Sequence, residues 1–254
     1  QHPTLRRQRQ MCIRDSVYAS LSEGFKAGGY ATYECTEPYD PEEVTSLEFG
    51  FKGSLSENTS LNASLFRYDY TDFQVLQVVG IQTVTRNAGD ATVNGLEIEA
   101  LSNVNDSLAI NYGLTLLDAT YGEFLNTNGI QPQLGEQQLD GNYLTNAPKV
   151  SINLGLNYTS PMASGASLTY RANASYKSRI YFSEFNEYSQ DAYTIVDLNL
   201  IWESADETMR SRFFIKNATD EDYISGYLSS ATGGGRFGQW GYPRTAGIEI
   251  QRNF

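Results

Sequence analysis

No stretch of this chain offers the ~18–20 consecutive apolar residues that a membrane-spanning helix needs, so a helical membrane protein is excluded. Histidine occurs once and cysteine twice, which leaves almost nothing for a histidine-based catalytic site or a Cys/His zinc centre. Proline is scarce, with 7 residues in 254, while aromatic residues make up 13%. A chain so rich in aromatic and β-branched residues is not intrinsically disordered. Positive charge is the minority sign: 18 Lys and Arg stand against 30 Asp and Glu, for a net charge of −12. Nucleic-acid phosphates would be repelled, so no nucleic-acid partner is expected. What the chain does have is tyrosine, in 18 copies, and the composition of an acidic, β-forming protein.

The first sixteen residues stand apart. Residues 1–16 read QHPTLRRQRQMCIRDS and carry Arg6, Arg7, Arg9 and Arg14 against the single acid Asp15. They follow neither the helix nor the strand period, and they lack the apolar stretch of a signal peptide. This segment reads as a non-native or assembly scar rather than a basic targeting arm, and 17–254 is the interpretable unit. Cys35 is then a lone cysteine in an acidic link, and no disulfide to Cys12 is expected.

From Val17 onward the chain alternates with period two. Val150, Ile152, Leu154, Leu156 and Tyr158 interleave with Ser151, Asn153, Gly155 and Asn157. Leu108 to Leu116 and Val196 to Trp202 repeat the pattern, which is that of strands with one apolar and one polar face. Ten strands are predicted, at roughly 17–23, 43–53, 59–77, 91–102, 107–122, 147–159, 166–182, 192–203, 208–217 and 243–254. In the third, Leu61, Ala63 and Leu65 give way to Phe66, Tyr68 and Tyr70, which calls for a bulge or a change of environment.

The links then decide between architectures. Short turns at 54–58, 103–106, 160–165 and 204–207 alternate strictly with long links at 24–42, 78–90, 123–146, 183–191 and 218–242. Nothing in a soluble sandwich enforces that alternation. In an outer-membrane barrel every second turn is short and periplasmic, and the others reach outside and lengthen. The polar face includes Glu48, Lys52, Glu97, Glu99, Arg171, Lys177 and Asp197, which a wet lumen accommodates, while a soluble sandwich would have to solvate them outside; both readings are allowed. Tyr158, Tyr176, Tyr181, Phe182, Tyr193 and Trp202 near strand ends suit interfacial girdles, although any one of them fits plain β-propensity equally.

The C-terminus reads GYPRTAGIEIQRNF, an amphipathic strand closing on Phe254, and resembles the signal that the outer-membrane barrel assembly machinery reads. Three further segments join it: YASLSEGFKAGGY at 18–30, NAGDATVNGLEIEA at 87–100 and IKNATDEDY at 215–223. With PEEVTSLEFGFKG at 41–53, they resemble successive landmarks of TonB-dependent outer-membrane receptors. Where that family usually has Asn-Leu-Phe-Asp, this chain has Asn217-Ala218-Thr219-Asp220: the Asn and Asp are kept and the apolar pair is lost.

The resemblance implies an all-β fold, an antiparallel transmembrane β-barrel fragment holding the last ten strands of a 22-stranded barrel. It implies residence in the outer membrane of a Gram-negative bacterium, contact with outer-membrane lipid, and TonB acting through an N-terminal region not in this sequence. The implied function is active import of a scarce nutrient, a ferric siderophore above all, without chemistry on the substrate and without a cofactor. A passive porin-like barrel and a soluble all-β binding domain are the two rival readings. The candidate ligand-binding residues are Phe25, Lys26, Tyr30 and Tyr33 in the first long link, and Arg236, Phe237, Trp240 and Tyr242 in the last. Aromatic rings and cations at a barrel mouth suit planar, anionic iron chelates. Taken singly, each fits local loop packing as well. No metal site is expected, because neither the acidic run Glu34–Glu43 nor Asp220–Asp222 has the spacing of a calcium loop.

Overall fold

A computed structural model of the protein describes residues 15–31, 34–79, 82–230 and 235–253. Cys12, Tyr33 and Phe254, with nearly all of the Arg-rich N-terminal segment, lie outside the described residues. Ten strands form one antiparallel sheet: β1 (Ser16–Lys26), β2 (Glu42–Ser56), β3 (Thr59–Thr71), β4 (Ala91–Asn105), β5 (Leu108–Tyr121), β6 (Val150–Pro161), β7 (Ser167–Lys177), β8 (Tyr193–Glu203), β9 (Met209–Lys216) and β10 (Thr245–Arg252). Each pairs with the next in chain order, and among the described residues no pairing joins β10 to β1, so the sheet is an open meander.

Short turns and long links alternate as the sequence predicts. The short ones are closed by local side-chain bonds. Asn105 Oδ1 accepts from the N–H groups of Ser107 and Leu108, both at 2.9 Å. Asp206 accepts from the Ser204 hydroxyl at 2.6 Å and from the Thr208 N–H at 3.2 Å. The long links are more regular than their sequences suggest, because each contains its own two-stranded hairpin. Residues Gln74–Val79, predicted in part as the end of the third strand, pair instead with Gln82–Asn87, and Ile180–Tyr181 leave the seventh strand to pair with Ser189–Gln190. Strand propensity marked these residues correctly, but the chain turns away from the sheet at Asp72, whose φ is 54°, and at the irregular Ser178–Arg179.

Register assigns the two faces. On β6, Ile152, Leu154 and Leu156 share a row with Leu114, Tyr112 and Ile110 of β5 and with Tyr176, Ala174 and Ala172 of β7. The opposite rows carry Asn153, Gly155 and Asn157 beside Asn111, Asn173 and Arg171. Apolar side chains on the first face stay open: Leu154 keeps 45% of its surface and Ile250 69%. The phase change in β3 involves no bulge, since its pairing with β2 and β4 is continuous from Ser60 to Tyr70. The environment changes instead. Towards the long-link end the apolar face turns polar, with Arg67 on Asp69 at 2.6 Å, while the polar face turns aromatic, with Phe66 stacked on Tyr68 at 4.8 Å. Phe66 lies across Gly95 of β4, and Phe214 likewise across Gly247, so a Cβ at either glycine would collide with the ring.

Of the predicted girdle, Tyr158 pairs with Tyr170 at 6.1 Å on the apolar face near the short turns, and Trp202 shares that face. Tyr193 departs from it. Its row is the polar one, and its ring stacks on Tyr223 at 4.7 Å. The buried hydrophobic cluster sits at the long-link end of the sheet: Tyr121, the last residue of β5, joins Ala88, Phe124 and Leu139, with Phe73, Val75, Leu144 and Phe185 against them.

Candidate functional site at the long-link end

Two concave regions gather chemistry-bearing side chains. The first lies among the long links, where Asn126–Ile130, Ser183–Tyr188, Leu76 and Tyr227 surround a cavity of about 100 Å³. Its walls are held from several directions. Phe124, with 2% of its surface exposed, anchors the 122–149 link in the hydrophobic cluster just below. Asn186, in the left-handed region at φ 54°, clamps two links together. Its Oδ1 accepts from Tyr143 N–H at 2.7 Å, and its Nδ2 donates to Tyr143 O at 2.9 Å. Tyr227 stacks between Tyr188 at 5.0 Å and Phe182 at 6.0 Å, which ties the last long link to the same wall.

The polar groups of this cavity are carboxylates and amides. Asn126 Nδ2 donates to Glu184, and Asn128 Nδ2 to Glu187, both at 3.1 Å. Burial holds the Glu184 carboxyl above the usual carboxylate range; its hydrogen bonds from a backbone N–H and from Asn126 oppose that shift, and the nearby Glu187 adds to it. Oriented acceptors beside tyrosine faces suit hydroxyl and amine groups better than they suit an anion.

The second region lies on the polar face of β1 to β4, a concavity of about 260 Å³ lined by Tyr18, Glu48, Lys52, Asn62, Ser64, Glu97 and Glu99. The Tyr18 hydroxyl donates to Glu48, and Lys52 Nζ lies 5.4 Å from the Tyr18 ring centre. Three carboxylates against one lysine make this patch acidic.

Among the described residues, those predicted from sequence do not converge. Phe25 lies in the row of Val17 and Leu21, on the apolar face of β1, and is 80% exposed. Lys26 ends the strand, and Tyr30 is exposed in the short strand Gly29–Ala31. Arg236 stands opposite Ser229 in the hairpin of Ile224–Ser230 with Gly235–Trp240, and its side chain is outside the description. Phe237, Trp240 and Tyr242 are exposed there and do not line the cavity. β1 and β10 are opposite edges of the sheet, so the first and last links are far apart in its order. The cavity residues escaped the sequence reading because NTNG at 126–129 and SEFNEY at 183–188 look like ordinary polar loop; their one signal is the pairing of amides with acids and rings.

The motif Asn217–Asp220 resolves its own departure. Asn217, 3% exposed, accepts from Glu221 N–H at 2.9 Å and donates to Glu221 O at 2.9 Å and Tyr242 O at 3.1 Å. Asp220 accepts from Arg244 N–H at 3.0 Å and pairs with its guanidinium. Asn217 and Asp220 have φ of 48° and 57°, so the two retained residues form the turn and tie both ends of the last long link.

The family described as TonB dependent receptor-like, beta-barrel, matches residues 13–218. The chain belongs to the TonB-dependent receptor β-barrel family. A search of curated proteins found no match. Among solved structures, the ferric yersiniabactin uptake receptor FyuA from Yersinia pestis superposes with a TM-score of 0.78 at 20% identity, over 94% of this chain and 35% of that one. BauA, the ferric preacinetobactin receptor from Acinetobacter baumannii, gives 0.71 at 21% identity, over 93% and 34%. The siderophore receptor PiuA from the same organism gives 0.72 at 20%, over 93% and 33%. The chain thus spans about a third of the length of these receptors. TonB-dependent receptors are outer-membrane β-barrel transporters, and the ten-stranded open sheet is the barrel-wall part of such a fold.

Proposed function

We propose that this wall belongs to an outer-membrane receptor that imports a ferric siderophore, energised through TonB, in a Gram-negative bacterium. The observation that carries the reading is the cavity walled by Asn126, Asn128, Glu184, Glu187, Tyr188 and Tyr227, built jointly by several long links on one end of the barrel wall. FyuA is named for ferric yersiniabactin, BauA for ferric preacinetobactin and PiuA for a siderophore, which supports ferric siderophores over other nutrients. The apolar face meets outer-membrane lipid and the polar face lines the lumen, and the C-terminal sequence signal that ends in Phe254 is read by the barrel assembly machinery. The anionic-chelate preference expected of the last link is narrowed by the cavity: its acidic lining favours siderophores with hydroxyl or amine groups at their edge.

The test is titration of ferric siderophores on outer membranes with matched content of the full-length receptor. Arg236→Ala with Trp240→Ala should weaken binding by about tenfold or more if the last link carries ligand. Unchanged affinity would remove that hairpin from the ligand path. Uptake that persists without TonB would favour the passive-barrel reading.

A further inference from the structure

A third concavity, of about 410 Å³, shares no lining residue with the other two. Its floor is apolar, made by Ala147, Val150 and Ala192, and its rim carries Lys149, Arg179, Tyr143, Tyr181 and Ser178 together with one carboxylate, Asp191, which is paired to Arg179. Pairing places it on the apolar face at the long-link edge of the wall. Val150 sits opposite Leu116 in the apolar row of β5, and Tyr143 bridges to Thr120, further up that same row.

The rim is a set of donors held in place. The Tyr143 and Tyr181 rings stack at 5.8 Å. Lys149 donates to the Tyr143 hydroxyl, and its Nζ lies 4.0 Å from the ring centre. None of the ion pairs among the described residues involves Lys149. Arg179 is held by Asp191, with Nε on Oδ1 at 3.0 Å, and by the Tyr181 hydroxyl, which fixes the guanidinium at the rim of the groove. The Ser178 oxygen accepts from Val150 N–H at 3.0 Å and keeps its own proton to donate. Two cations and hydroxyl donors above an apolar floor match one kind of occupant: an amphiphile whose headgroup is an anionic phosphate. A free anion would leave the floor unfilled, and a neutral lipid would leave Lys149 with no ion pair and only the field of Asp118 to balance its charge.

We propose that this groove binds the phosphate of an outer-leaflet lipid, with the acyl chains running down the apolar face over Val150 and Ile152. The proposal rests on that face meeting lipid, which a charge placed at Leu154 tests separately. The probe is diphosphoryl lipid A, titrated onto the detergent-purified, full-length receptor and followed by native mass spectrometry, beside the same glycolipid stripped of its phosphates. The phosphorylated form should bind about tenfold or more tightly, and Lys149→Ala with Arg179→Ala should abolish that preference while Lys149→Arg retains it. Equal binding of the two glycolipids by the unaltered receptor would overturn the proposal without recourse to any variant. So would displacement of the lipid by millimolar inorganic phosphate, which would assign the rim to a free anion.

Discussion

The barrel wall and the long links solve the burial problem in opposite ways. In the wall, the rows of Ile152, Leu154 and Leu156 are apolar and open, and the rows behind them are polar and open too. Neither face has a protein core, so the wall is stable only where a solvent of hydrocarbon covers one side and water wets the other. In the links, Phe124, Ala88 and Leu139 are buried against one another and against Tyr121 at the end of β5, as in a small water-soluble domain. Apolar residues therefore mean different things a few residues apart. On β3 the meaning switches within one strand, between outward Leu65 and inward Phe66. A single hydropathy rule cannot serve both regions; the solvent on each side has to be known first.

The contrast is broken most severely at its most buried ring. Phe124→Ala should cost about 3–5 kcal/mol of local stability in the links. Hydrogen exchange should show the 122–149 and 178–192 links losing protection while β4 to β8 keep theirs; loss across the wall would show that the two regions fold as one. In the wall, Leu154→Arg should cost about 2–4 kcal/mol if that position is near the bilayer midplane. Its neighbour Asn153→Arg, on the polar row, should be much milder. Equal penalties in a bilayer-folding titration of the intact receptor would reverse the assignment of the faces.

The smallest effect is electrostatic and belongs to the links. Glu184 is held above the usual carboxylate range by burial, so its folded form binds a proton more readily than its unfolded form. That contribution is fully present below the usual carboxylate range and is lost as pH rises through the raised value. Glu184→Gln keeps an oxygen for Asn126 to donate to but removes the charge. The variant's links should match the parent's in acid and melt slightly higher at neutral pH, followed by tyrosine fluorescence. A variant that is less stable at neutral pH would mean that the carboxylate is satisfied by groups beyond Asn126.

Alternation along 150–158 and the strict succession of short and long links were enough to place ten strands and their two faces, because a side-chain period of two and the asymmetry of a membrane both write themselves into linear order. Asn217 and Asp220 stood out through the family resemblance, and the structure supplies the physical reason: a left-handed turn favours those residue types. The cavity-lining residues could not be read in this way. Asn126, Glu184 and Tyr227 belong to three separate links, and Lys149 and Arg179 come from two; no pattern within any one link records its neighbours. Phe25 and Trp240 looked as suitable as any of them by residue type, yet both lie exposed at opposite edges of the sheet. Sequence by itself determined the strands, their faces and the family. Only the packing of links against one another decided where the cavities lie, since convergence of side chains is a property of distances across the chain rather than of order along it.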